Sequence, residues 1–99
     1  MLPSLLEGFG IAALEAERAR APLAVSRTAA LVETAGAETP SFSPVDPAEC
    51  ARAIRAALAA TPDSLERAAK RAERFTWQAS AERLVAAWQC AKEIAARRR

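Results

Sequence analysis

The chain has 99 residues, of which 52% are hydrophobic and 26% are charged, and its formal net charge is +2. This length is enough for one small domain with a modest core. Basic and acidic residues are interleaved along the predicted helices, which is typical of solvated helix faces and argues against a nucleic-acid-binding stripe. Because there is no histidine, histidine-based catalytic triads and the common zinc sites are excluded.

The two cysteines and the apolar runs indicate the compartment. Cys50 and Cys90 form no C-x-x-C pair, which is typical of small, buried hydrophobic residues in a reducing compartment. No apolar run approaches the roughly 20 residues that cross a bilayer, and no basic segment precedes an apolar one at the N-terminus. The sequence therefore predicts a cytoplasmic protein without a transmembrane segment, and peripheral contact with a membrane stays open.

The first predicted element is a glycine loop that leads into a helix. Two glycines within Glu7-Gly8-Phe9-Gly10 favour a loop, and residues 11–20 are rich in helix formers. Unsatisfied N–H groups and the positive end of the dipole form an anion site at the start of such a helix. Glu7 and Glu15 flank it, with Glu15 roughly 7 Å into the helix. Since carboxylates accept hydrogen bonds from sugar hydroxyls, the layout suits a nucleotide-sugar, in which a diphosphate joins a sugar to a ribose.

A short strand and a second helix are predicted next. Residues 23–25, Leu-Ala-Val, follow a proline and precede a turn, which indicates a short buried strand. Residues 27–35 form a short predicted helix that Ser26 or Thr28 caps and that Gly36 ends. The Ser26 and Thr28 hydroxyls could instead reach a ligand at the carboxyl end of the sheet, but a cap is the favoured interpretation.

The segment 39–45 is predicted to be an irregular edge strand. Pro40 and Pro44 each remove a backbone donor from the strand ladder. Phe42 is expected to point inward.

Three further helices are predicted towards the C-terminus. Asp46 caps the first, with Pro47 at the first helical position and Glu49 in a capping box, and the helix runs to about residue 60. The motif Thr61-Pro62-Asp63 starts the next, which ends near residue 74, and Thr76 caps the last, which begins at Trp77 and runs into the arginines at 97–99. The predicted inward-facing residues are, helix by helix, Cys50, Ile54, Ala57 and Leu58; Leu65, Ala68, Ala69 and Ala72; and Ala81, Leu84, Val85, Trp88 and Ala91. Trp77 and Trp88 share a face, and core packing is favoured over a sugar-stacking platform.

The N-terminal run resembles a known family signature. Pro3-Ser4-Leu5-Leu6-Glu7-Gly8-Phe9-Gly10, followed by Leu14-Glu15-Ala16, is similar to the PSxxEGFGxxxLEA run of retaining glycosyltransferases with the GT-B fold, the glycosyl transferases group 1 or family 4. Seven residues separate Glu7 from Glu15, as in the E-x7-E motif of that family. Further matches in the same order are residues 20–26 with GTPVVAS, 31–33 with LPE, 45–47 with VDP, and 75–77 with FSW.

The resemblance implies both a fold and an activity. The expected fold is α/β and partially Rossmann-like: residues 1–99 would be the second half of a GT-B C-terminal domain, helix-rich with about two short parallel strands, and the N-terminal acceptor domain would be absent. The implied activity is transfer of a sugar from a UDP- or GDP-sugar to an acceptor hydroxyl with retained configuration, without a metal or cofactor. The resemblance makes Glu7 the catalytic residue, in contact with the donor sugar. It also implies that Gly8, Phe9 and Gly10 bind the donor through the backbone near the sugar and phosphate, and that Glu15 contacts the ribose.

Departures from the family pattern qualify this expectation. Arg20 stands where a helix-ending glycine is usual. Because the acceptor domain and the upstream basic residues that neutralise the diphosphate in relatives are missing, the isolated chain is predicted to be inactive. The alternative is a non-catalytic helical interaction module, or a subunit that complements a partner carrying the missing half. Self-association or pairing with a partner is expected, since half a Rossmann unit exposes strand edges and an apolar sheet face.

Overall fold

The computed structural model describes residues 1–99 as five helices and two short strands. The helices are α1 Ile11–Arg18, α2 Ala29–Ala35, α3 Pro47–Leu58, α4 Pro62–Ala72 and α5 Trp77–Arg97, and the strands are β1 Val25–Ser26 and β2 Ser41–Phe42. The strands pair in parallel, with Val25 opposite Ser41 and Ser26 opposite Phe42, and Leu2 adds a parallel bridge to Val25. The predicted helix-rich α/β chain with two parallel strands is confirmed, whereas strands of two residues are too short to establish a Rossmann-like unit.

Most of the core lies in two small clusters on opposite faces of the strand pair. One cluster, between α1, α2 and β1, contains Ala13, Leu23, Val25, Leu31 and Ala35, and the other, beside α3, contains Ala24, Phe42, Ala53 and Ala57. The clusters separate because neighbouring side chains of an extended segment point to opposite faces. Phe42 is 1% exposed, which confirms its predicted inward orientation.

The predicted helix caps are present in the structure. Hydroxyl or carboxylate oxygens of Thr28, Asp46, Thr61 and Thr76 each accept a hydrogen bond from an N–H in the first turn of α2, α3, α4 and α5. Gly36 follows the end of α2 with φ 77°, a conformation that favours glycine.

Glu49 behaves differently from the predicted capping box. Its carboxylate accepts hydrogen bonds from the Ser43 N–H and from the Arg27 guanidinium instead of the Asp46 N–H. The side-chain hydrogen bond from Arg27, reinforced by the one from Ser43, holds the pKa of Glu49 below its usual range. Glu49 therefore ties the start of α3 to the ends of both strands.

The end of α1 carries the one non-glycine residue with positive φ. Arg20 has φ 56°, its N–H donates to the Glu17 carbonyl, and the Ala21 N–H donates to the Ala16 carbonyl, both at 2.9 Å. These two bonds define a Schellman motif, in which the left-handed position is usually glycine. The left-handed residue explains why α1 ends at Arg18 and not at the predicted residue 20.

Replacing Arg20 tests the strain at this helix end. Arg20→Gly is expected to be more stable than Arg20→Ala by about 1 kcal/mol, because glycine adopts positive φ without the steric cost that a Cβ imposes. Both variants lose the exposed ion pair between Arg20 and Glu66, so their difference isolates the backbone term. Urea unfolding of the two variants measures it, and equal midpoints with equal slopes would contradict the assignment of strain.

The predicted buried stripe of α5 is wrong. Ala81, Leu84, Val85, Trp88 and Ala91 are all exposed, and no residue of α5 is buried. Trp77 and Trp88 are 87% and 69% exposed, so core packing of the two indoles is wrong as well. The physical reason is geometric: the molecule measures 55 × 29 × 16 Å, and the other elements leave α5 without a packing partner.

Two smaller expectations also need correction. Leu58 is 73% exposed while Ala53 is buried, because the inward face of α3 is centred on Ala53 and Ala57 and Leu58 lies about 100° from the latter. Cys50 is half-buried and Cys90 is exposed, so neither cysteine is fully buried.

None of the five helices is both long enough and apolar enough to cross a membrane.

Candidate functional site

The candidate site is the glycine loop at the start of α1. Gly10 occupies the N-cap position of α1 with φ 87° and ψ 49°, a left-handed conformation that favours glycine. A Cβ at this position would lie 2.6 Å from Cδ2 of Leu31 in α2. Gly10 is thus required twice, for its dihedral angle and for the close approach of α2.

Consecutive backbone amides of this loop are free. The N–H groups of Gly8, Phe9, Gly10, Ile11 and Ala12 donate no hydrogen bond within the protein, and the next amide, that of Ala13, donates to the Gly10 carbonyl at 2.9 Å. No side chain caps α1 and no acidic residue lies in its first turn. The start of α1 therefore has free backbone donors, and an anion site at this position stays a prediction.

Glu7 lies beside these amides. Its Cγ is 3.7 Å from the position that a Cβ on Gly10 would occupy, and its carboxylate accepts a hydrogen bond from the Ser4 hydroxyl at 3.3 Å. The Ser4 carbonyl in turn accepts from the buried Ser26 hydroxyl at 2.5 Å. Ser26 thus anchors the segment before the loop to β1, and of the two predicted caps Thr28 alone caps α2.

Phe9 connects the loop to two other parts of the fold. Its carbonyl accepts a hydrogen bond from the Thr34 hydroxyl of α2 at 2.6 Å, and its half-exposed ring packs edge-on against Phe75, with 5.9 Å between ring centroids. Arg18 donates to the Phe75 carbonyl at 3.2 Å. Sequence reasoning missed Thr34 and Phe75 as supports of the loop. The one available signal was the position of Phe75 within the FSW-like run.

Glu15 and Leu14 occupy different faces of α1. Glu15 is exposed and forms no side-chain hydrogen bond or ion pair, whereas Leu14 is buried, as expected for a core residue. The structure places Glu15 on the helix that the loop leads into and leaves its carboxylate free. A role in holding a ligand stays a prediction for both Glu7 and Glu15.

A buried carboxylate that sequence reasoning missed lies further along α1. Glu17 is 2% exposed and accepts hydrogen bonds from the guanidinium of Arg71 in α4 and from the Thr39 hydroxyl, the latter at 3.4 Å. Arg71 also donates to the Thr34 carbonyl of α2 at 2.5 Å. Burial raises the pKa of the Glu17 carboxyl, and the charge of Arg71 offsets only part of that rise.

Glu17 could have been found from helix spacing. It follows Ala13 by four residues and therefore shares the inward face of α1. With Arg71 it lines a groove of about 320 Å³ between α4 and the segment 35–40 that follows α2. The Glu17 carboxylate and the Arg71 guanidinium are already paired with each other. This pair therefore joins three helices, and the groove beside it is not the anion site. No cluster of three or more acidic or sulfur ligands that could hold a metal ion is present.

Comparison with known proteins supports the resemblance to the glycosyl transferases group 1, because the chain is similar to two curated mannosyltransferases. The particular relatives are the GDP-mannose-dependent alpha-(1-6)-phosphatidylinositol dimannoside mannosyltransferases of two strains of Mycobacterium tuberculosis. Each is 38% identical over 88 residues, which cover 87% of this chain and 23% of the relative. The chain thus spans about a quarter of the length of the curated relatives that it matches.

No family model matches the chain. No solved structure matches it either.

Proposed function

We propose that this chain forms the donor-binding half-site of a retaining glycosyltransferase. The substrate bound at the half-site is a nucleotide-sugar, and GDP-mannose is the first choice because the relatives are GDP-mannose-dependent. The half-site consists of the loop Glu7–Gly10, the first turn of α1 and Glu15.

The free amides from Gly8 to Ala12 are the observation that carries the proposal. They have no partner inside the protein, and the helix dipole adds a positive potential at the same place. A diphosphate satisfies such donors, and negative charge that develops on a departing nucleoside diphosphate would be stabilised by them without reorganisation.

The two carboxylates divide the remaining recognition between them. Glu7, beside Gly10, accepts hydrogen bonds from hydroxyls of the donor sugar and is the catalytic residue of the proposal. Glu15 accepts hydrogen bonds from the ribose hydroxyls. Hydrogen bonds to charged groups contribute roughly 1.5–3 kcal/mol each, so each carboxylate has a measurable share of the affinity.

The isolated chain is proposed to bind the donor without turning it over. The loop is open on one side: a Cβ added at Gly8 would meet nothing within 4 Å, and Phe9 is 46% exposed. Water therefore reaches the anion site and weakens the electrostatic contribution. Residues 1–99 would accordingly be one part of a C-terminal donor-binding domain, with the acceptor bound by residues outside this chain. The cytoplasmic location stays a prediction.

Calorimetric titration with GDP-mannose, GDP and UDP-glucose tests the half-site. Glu15→Gln is expected to weaken the binding of GDP and of GDP-mannose equally, about tenfold or more, because both ligands carry the ribose. Glu7→Gln is expected to weaken the binding of GDP-mannose by a similar factor and to leave the affinity for GDP unchanged, because GDP lacks the sugar.

Glu93→Gln is the matched control, since Glu93 is an exposed glutamate of α5 that forms no ion pair. Its affinities should equal those of the unaltered chain. Absence of heat with all three nucleotides, or equal losses for Glu7→Gln and Glu93→Gln, would overturn the proposal. Circular dichroism of each variant separates a binding defect from loss of fold.

A second candidate function is a non-catalytic interaction module. The observation that favours it is α5, most of whose apolar residues are exposed and none of whose residues is buried. This candidate requires no nucleotide binding, so the same titrations distinguish it from the half-site.

A further inference from the structure

Six of the exposed apolar residues of α5 follow a heptad pattern. Spacings of four and three residues alternate through the stripe, which is Trp77, Ala81, Leu84, Trp88, Ala91 and Ala95. Alternation of this kind places all six side chains along one seam of the helix, as the a and d positions of a coiled coil do. We call this set the α5 seam.

The α5 seam is unpartnered over a length suited to helix pairing. The helix has 21 residues, which is about 31 Å, and its seam residues are all exposed. Trp77, Leu84 and Trp88 are 87%, 71% and 69% exposed. Isolated exposed apolar residues are ordinary, whereas a contiguous stripe of this size marks an interaction surface.

The side-chain volumes along the α5 seam are complementary to those of a second α5 seam that runs in the opposite direction. A two-fold axis at Ala86 places Trp77 opposite Ala95, Ala81 opposite Ala91, and Leu84 opposite Trp88. No layer then holds two indoles, and each large residue meets a smaller one, as close packing requires. Parallel pairing in register would instead place Trp77 against Trp77 and Trp88 against Trp88, which overfills two layers.

The charges on α5 permit the same arrangement. On the flanks of the seam, the antiparallel pair brings Lys92 near Gln78 and Val85 near Val85 of the second copy, each two positions away from the residue that lies directly opposite, so no like charges meet. The other charged residues of the helix lie on its outer face and stay in water: Glu82, Arg83, Glu93 and Arg97. Antiparallel helices also align their dipoles favourably.

The buried area is near the lower limit for a specific interface and suits a weak dimer. An aromatic side chain buries roughly 150–250 Å², so the two indoles of each copy contribute about 300 Å² after allowance for their present exposure. Two copies thus bury about 600 Å² through tryptophan alone, and Leu84, Val85 and the alanines bring the total towards the roughly 1,000 Å² of a specific interface.

We propose that the α5 seam is a homodimer interface, in which α5 of one copy packs antiparallel against α5 of a second copy with the two-fold axis at Ala86. The proposal does not depend on donor binding.

Sedimentation equilibrium of the full chain across a range of concentrations tests the interface. The unaltered chain is expected to approach twice its 10.5 kDa mass. Trp88→Glu is expected to raise the dissociation constant at least about a hundredfold, because it places a carboxylate in two apolar layers. Gln89→Glu is the matched control: it makes the same charge change one residue further along, outside the seam, and should leave the dimer intact.

Exchanging the large and the small side chain at two facing positions of the seam tests the antiparallel register. Ala95→Trp is expected to weaken the dimer, because it brings two indoles together in the end layers. Combining it with Trp77→Ala restores a large-to-small pairing and should return the dissociation constant to within about tenfold of the original. Failure of the double variant to recover would overturn the register.

A chain that is monomeric at all concentrations, or a dimer that survives Trp88→Glu, would overturn the interface. Helix content by circular dichroism should stay constant throughout, because no residue of α5 is buried in the monomer.

Discussion

Arg71→Leu is expected to lower the free energy of unfolding by about 3–5 kcal/mol at neutral pH, because removal of one partner leaves a buried charge uncompensated. Glu17 is 2% exposed and loses its guanidinium partner, and the Thr34 carbonyl loses a donor as well. Urea unfolding followed by circular dichroism measures the loss. A change below about 1 kcal/mol would contradict the role of this pair in joining α1 to α4.

The reciprocal substitution is expected to cost far less. In Glu17→Gln, the amide oxygen can still accept from Arg71 and Thr39, and the Arg71 side chain, 24% exposed, keeps contact with water. The double variant Glu17→Gln with Arg71→Leu should recover most of the stability that Arg71→Leu loses, since no charge is then buried. This asymmetry separates the cost of an unpaired charge from the cost of lost packing. A double variant no more stable than Arg71→Leu would show that the unpaired charge is not the cause of the loss.

The pH dependence has a definite sign. Because burial raises the pKa of Glu17 above its ordinary value of 4.5, the folded chain binds more protons than the unfolded chain in the window just above that value. The contribution of Glu17 to the free energy of unfolding therefore falls as pH rises through this window. Relative to Glu17→Gln, which cannot titrate, the unaltered chain should be most stable at the acidic end.

Gly10→Ala is the second large effect, with an expected loss of about 2–4 kcal/mol. The methyl group would force a non-glycine residue to φ 87° and would meet Leu31 at 2.6 Å. Both the loop and the contact between α1 and α2 are then displaced. Thermal unfolding of the variant measures the loss.

Gly8→Ala is the control for this prediction. A Cβ at Gly8 meets nothing within 4 Å, and Gly8 is not among the residues with positive φ. Its stability should lie within about 0.5 kcal/mol of the unaltered chain. Equal losses for Gly8→Ala and Gly10→Ala would indicate that loop flexibility, and not the backbone conformation at Gly10, explains the requirement for glycine.

Local features of the chain were predictable where the determining contacts are local. The caps at Asp46, Thr61 and Thr76 depend on a side chain and an amide two or three residues away, so residue type and spacing suffice to identify them. The free amides at the start of α1 follow likewise from the absence of a capping side chain before Ile11. The resemblance to glycosyl transferases group 1 was readable for the same reason, since the glycine-loop motif is a contiguous run.

Non-local features were less accessible. Arg71 pairs with Glu17 across 54 positions of the chain, and helix spacing places each on an inward face without indicating that they meet. The buried stripe predicted on α5 was wrong for a different reason. Its periodicity correctly predicts an amphipathic helix, but periodicity does not specify what covers the apolar face.

The sequence by itself determined the helix boundaries to within about two residues, the glycine loop and the resemblance to glycosyl transferases group 1, because each depends on residues close together along the chain. The tertiary structure alone decided that Thr34 and Phe75 support the loop, that Arg20 ends α1 in a left-handed conformation, and that Glu17 is buried. It also decided that α5 stands free, because burial depends on which distant elements meet, and 99 residues arranged around two strands of two residues leave no surface for α5 to pack against.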